Sequence, residues 1–185
     1  MKTRFHNFES CRHVRAARLW WLPLALAACA TQPPMQVPAM LAPKADETLA
    51  MTVAAKGVQI YECRSKKEAG AGYEWAFVAP EAELLDVGGR SVGSHGAGPY
   101  WQASDGSKVI GNLKARADAP AASAIPWLLL EATTAGPEGA FSKVTSIQRV
   151  NTAGGLAPAA GCTPGTAGAT ARIPYTADYR LYVGR

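Results

Sequence analysis

The chain has 185 residues, 48% of them hydrophobic and 18% charged, with a formal charge of +5 and a pI near 9.1. Five of the 19 basic residues and one of the 14 acidic ones fall in the first 28 positions, so the remainder carries 14 basic and 13 acidic residues and a formal charge of +1. The high pI is therefore no sign of nucleic-acid binding by the body of the protein, and no nucleic-acid partner is expected.

At the start of the chain Lys2, Arg4, Arg12, Arg15 and Arg18 precede the apolar run Leu19 to Ala28, which is too short to span a bilayer. The run ends Leu26-Ala27-Ala28-Cys29 and is similar to the lipobox of bacterial lipoproteins, where the signal is cut before a cysteine that carries a diacylglycerol. That resemblance implies a signal peptide over 1–28, lipidation of Cys29, and membrane attachment through that lipid. With Ala rather than Asp at position 30, the same resemblance implies the outer membrane of the cell envelope, facing the periplasm. The alternative is an ordinary secretory signal and a soluble secreted or periplasmic product.

Residues 29–47 hold Pro33, Pro34, Pro38 and Pro43 with little periodicity, and read as a semi-extended tether. Residues 48–185 are of a size for one domain with its own core. Export discards Cys11, and with Cys29 lipidated the two remaining cysteines, Cys63 and Cys162, pair most economically as a disulfide in an oxidising compartment. Two free thiols or a metal pair is the alternative, although no cluster of further ligands supports a metal, and none is expected.

Alternation with period two dominates the body. Tyr73, Trp75 and Phe77 share one face of an extended segment, and Val109, Leu113 and Ala115 oppose Lys108, Asn112, Lys114 and Arg116 in another. Ser104-Asp105-Gly106-Ser107 predicts a hairpin turn between extended segments at Tyr100 to Ala103 and Lys108 to Leu113. Further strands are expected at Gly57 to Cys63, Ile125 to Ala132, Ser142 to Asn151 and Tyr179 to Val183. The spacing of Val144, Ile147 and Val150 is helix-like, but its Ser, Thr and Val content favours a strand. Pro80 to Asp86, with an early proline and early acids, reads as a short helical turn. Gly154-Gly155 and Ala157 to Ala171 read as surface loops. The fold class is mainly β: a single-domain sandwich or irregular barrel with long Gly, Pro and Ala loops.

Several motifs within this body, Gly57-Val58-Gln59-Ile60-Tyr61-Glu62-Cys63, His95-Gly96-Ala97-Gly98-Pro99-Tyr100-Trp101, Asp105-Gly106-Ser107, Ile125-Pro126-Trp127-Leu128-Leu129, Val144 through Gly155 and Cys162, resemble those of a family of secreted bacterial and fungal domains of unknown function. The resemblance extends over about Lys56 to Arg185 and implies an exported fold unit with no established activity. A malate-dehydrogenase label borne by some fungal members does not carry over, because the chain has no strand, Gly-x-Gly-x-x-Gly and helix arrangement to cradle a pyrophosphate. No cofactor is expected.

The chemistry-bearing residues are few. Gly89-Arg90-Ser91-Val92-Gly93 matches the nucleophile-elbow spacing, but its only neighbouring histidine lies four residues on and the glycines suit a loop better. His95 is the sole histidine beyond the signal, and an imidazole can serve as acid, base or ligand. With Asp105 or another acid as its partner it forms the weak catalytic candidate of an envelope enzyme of hydrolase type. The competing structural role is a ring hydrogen donated to a loop carbonyl, or to Asp105. Tyr100 and Trp101 beside His95 form the candidate ligand site, where rings could stack on a sugar or other planar ligand. The leading expectation is a non-catalytic envelope module that binds a glycan, a small molecule or an envelope protein near His95 to Trp101, with a purely structural role as a third reading.

Overall fold

The computed structural model of the protein describes residues 36–185 except 69 and 71. The signal peptide expected over 1–28 and the expected lipidation position, Cys29, lie outside the described residues. Eight strands follow in chain order: β1 (Glu47–Ser65), β2 (Tyr73–Leu85), β3 (Ser91–Gly96), β4 (Tyr100–Ala103), β5 (Lys108–Ala117), β6 (Trp127–Thr134), β7 (Val144–Gly154) and β8 (Thr170–Gly184). Each pairs antiparallel with the next, and β8 returns to pair with β1, so the sheet closes into an up-and-down barrel. Of the two β architectures expected, the barrel is the one formed. Closure removes the exposed strand edges that an eight-stranded open sheet would present.

The hairpin expected at Ser104 to Ser107 joins β4 to β5, with Tyr100 opposite Ile110 and Trp101 opposite Val109. Gly106 supplies the positive φ that the turn needs. Pro126 stands just before β6, where its missing N–H costs no ladder bond.

The helical turn expected at Pro80 to Asp86 is not formed; those residues continue β2 as far as Leu85. Ala82 and Leu84 are buried while Glu81 and Glu83 are exposed, so the period-two pattern outweighs the proline and the early acids. Pro80 is accommodated because β2 pairs with β3 only from Ala82 onward.

Bulges explain two other departures. Between Val144 and Ser146 the β7–β8 register shifts, which reverses the parity and lets Val144 and Ile147, three apart, both join the core. A shift between Leu113 and Ala115 breaks the alternation expected for β5, and Leu113 is exposed.

Packing against the barrel begins before β1. Residues Ala39–Leu41 form a 3₁₀ turn, the Leu41 side chain is fully buried, and the Gln148 amide donates to the Leu41 carbonyl at 2.7 Å. Glu47 is anchored by Ser146 Oγ at 2.9 Å and by the Lys44 N–H at 2.9 Å. At the opposite end of β1, Cys63 and Cys162 form the disulfide, 99 residues apart in sequence. It pins the loop between β7 and β8 onto β1, where Trp75 Nε1 also donates to the Ala160 carbonyl at 2.9 Å.

Candidate functional site

Because alternate residues of each strand face the barrel interior, polar residues at those positions are buried whether or not a partner awaits them. His95 on β3 and Trp101 on β4 are directly opposite each other in the ladder. Their rings stack at 4.2 Å with 20° between planes. Tyr179 of β8 meets both edge-on, at 5.1 Å from His95 and 5.2 Å from Trp101. Gly111 on β5 makes room for the indole, since a Cβ there would come within 2.6 Å of it.

His95 is only 4% exposed, and its Nδ1 lies 2.6 Å from the Tyr100 carbonyl oxygen. A carbonyl only accepts, so Nδ1 carries the ring proton and Nε2 is left bare. Burial, reinforced by the charge of Arg149 and only partly opposed by the Tyr100 hydrogen bond, pushes the imidazole pKa down to about 4. The ring is therefore neutral at physiological pH.

This aromatic cluster lines a cavity of about 200 Å³. Its polar lining is Gln59 of β1, His95, Trp101, Tyr179 and Arg149 of β7, and its apolar lining includes Leu128 and Leu130 of β6. The rim has a structural cause. The β2–β3 ladder ends at the Ala82–His95 pair, and residues beyond it on either side, Phe77, Val78 and Pro80 on β2 and Gly98 and Pro99 after β3, complete the lining. Phe77 and Val78 are about half exposed, so the gap between β2 and the β3–β4 turn opens the cavity to the surface.

Five buried side-chain polar atoms among the described residues lack a well-formed hydrogen bond, and three of them, Gln59 Nε2, Trp101 Nε1 and the Tyr179 hydroxyl, lie on residues of this lining but are closed off from its open space. Such atoms are uncommon, because each forfeits the hydrogen bonds it would make in water. Burial raises the Tyr179 phenol above its usual range, and does the same to neighbouring Tyr175. Arg149 donates through Nε and Nη2 to the Pro126 carbonyl at 3.0 and 2.8 Å. Among the described residues no carboxylate lies within ion-pair distance of it, and none lines the cavity.

Of the residues picked out by sequence, the structure unites His95 and Trp101 and separates the other two. Tyr100 alternates to the opposite face; its ring lies over Gly96, with Lys108 Nζ 4.3 Å from its centroid. Asp105 stays at the hairpin turn, where Oδ1 accepts from Ser107 N–H at 2.9 Å and Ser107 Oγ at 2.6 Å and Oδ2 from Ala140 N–H at 2.8 Å. These hydrogen bonds hold its carboxyl below the usual range. No hydrogen bond links Asp105 to His95, whose proton goes to a carbonyl as in the structural alternative. Ser91 begins β3, and a strand rather than a helix follows it.

Gln59, Arg149 and Tyr179 as a group escaped the sequence reading. Their signal was a polar side chain at an inward-facing position: Val53, Ala55, Gln59 and Tyr61 are all buried at alternate places along β1, and only one carries an amide. Among the described residues no group of three or more metal-ligating side chains occurs. No helix of the described residues is long and apolar enough to cross a membrane.

A family described as protein of unknown function (DUF3455) matches residues 43–183. No curated protein and no solved structure matches the chain.

Proposed function

The chain belongs to this family of unknown function, and on that premise we propose that it is a non-catalytic binding module of the cell envelope whose barrel interior takes up a small molecule through the gap between β2 and the β3–β4 turn. The observation that carries the reading is a cavity of about 200 Å³ open at the rim, walled by Pro80, Leu128 and Leu130, with Gln59, His95 and Arg149 as polar residues of its lining. A few convergent polar groups in an otherwise apolar recess are what orient a bound small molecule. The Leu26-Ala27-Ala28-Cys29 sequence supports export and lipid attachment at the outer membrane.

The geometry favours a molecule held inside over a glycan on the surface. Trp101 is 1% exposed with His95 against its face, so it offers no open platform for a sugar. The hydrolase reading finds no acid beside His95, since Asp105 is engaged at its turn and no Asp or Glu lines the cavity.

A mixture of one-ring probes added to ¹⁵N-labelled protein tests this. The Trp101 indole N–H and the Gln59 side-chain amide are expected to shift, and Val78→Trp, which fills the rim, is expected to suppress the change. Static resonances for both groups at millimolar probe would overturn the reading.

A further inference from the structure

Resting on that reading, we infer that the molecule taken up is a compact monocarboxylate with a single-ring apolar body, its carboxylate held by Arg149.

The charge of the lining decides the sign of the ligand. Arg149 is the only ionised group among the lining residues, because no Asp or Glu contributes and the buried His95 is neutral. An arginine facing a largely apolar recess without a carboxylate partner is costly, and an anion seated there removes that cost. Two of its nitrogens are occupied by the Pro126 carbonyl, which fixes the plane of the guanidinium.

A carboxylate accepts through both oxygens and matches the planar guanidinium. A neutral alcohol or amide brings no charge to it, and a cation repels Arg149.

Size and shape limit the rest of the molecule. A cavity of about 200 Å³ is slightly larger than the roughly 150 Å³ that accommodates benzene. A single ring therefore fits within the enclosed space, and anything larger must extend through the rim. Leu128, Leu130 and Pro80 provide the apolar walls, and the exposed Phe77 flanks the opening.

The experiment compares benzoate, benzamide and toluene on the full-length protein, by calorimetry and by the shift of the Trp101 indole N–H. Benzoate is expected to bind at least about tenfold more tightly than benzamide, the usual scale of a charge-assisted contact over a neutral one. In Arg149→Gln that preference is expected to vanish while toluene binding is unchanged, which also shows that the barrel is intact. Benzamide or toluene matching benzoate in the parent protein overturns the carboxylate assignment and leaves the binding module standing. Benzoate bound equally well by Arg149→Gln also overturns it, because the anion is then held outside the cavity. Failure of all three probes to move the Trp101 resonance removes both this inference and the reading beneath it.

Discussion

The Nδ1 atom of His95 lies 2.6 Å from the Tyr100 carbonyl oxygen, so the imidazole closes the β3–β4 turn from inside the barrel while Trp101 covers its face. One nitrogen is committed to structure and the whole ring is removed from water. That arrangement makes the histidine a neutral structural group whose protonation opposes folding.

The pH dependence of stability follows from this. With the folded pKa near 4 and an unfolded value of 6.5, the unfolded chain binds more protons between those limits. The contribution is complete above about pH 6.5 and is progressively lost as the pH falls toward 4. Between pH 7.5 and 5.5 the loss is about 1 kcal/mol, above the range where the carboxylates protonate. Urea denaturation at the two pH values measures it, and His95→Gln is expected to flatten the difference. An imidazole titrating near 6.5 in folded protein contradicts the expectation.

Asp105→Ala separates a structural carboxylate from a catalytic one. The substitution releases Ser107 and Ala140 and loosens the hairpin from the loop before β7, so the midpoint of thermal unfolding falls. Probe-induced shifts at the Trp101 indole are expected to persist, because Asp105 is not part of the cavity lining. Loss of binding with stability unchanged counts against this assignment.

Replacing both Cys63 and Cys162 by Ser removes the covalent tie between β1 and the β7–β8 loop. The expected cost is about 2–5 kcal/mol, which the chain-entropy account attributes to a freer unfolded state. Denaturation of parent and double variant gives the difference, and alkylation without reductant should modify neither cysteine in the parent. Labelling of both refutes the bond.

Cys29→Ser is expected to abolish incorporation of labelled lipid and to move the protein from the membrane to the soluble fraction. A parent that carries no lipid and fractionates identically would sink the anchor.

Much of the barrel was legible because period-two alternation and turn chemistry are local. Asp105-Gly106 announced its hairpin, and Cys63 and Cys162 were the only economical pair. Pro80 misled because its meaning depends on whether a neighbouring strand needs its N–H, a fact decided by where the β2–β3 ladder stops. Half of the candidate site was hidden for a related reason. Gln59, His95, Arg149 and Tyr179 are brought together by closure of β8 onto β1 and by the reversal of parity in β7, neither of which leaves a spacing in the sequence. His95 and Trp101 were found because a single hairpin carries both.

The early end of the β2–β3 ladder at the Ala82–His95 pair has a kinetic consequence. A visitor passing Phe77 and Val78 breaks no backbone hydrogen bond between those strands, so the barrier to exchange is rotation of exposed side chains on the picosecond-to-nanosecond scale, not strand separation. On the proposed binding role, arrival is then governed by diffusion and dwell time by the contacts inside. Substitutions at positions 77 and 78 should tune the rate of access while leaving the barrel's unfolding kinetics where they were.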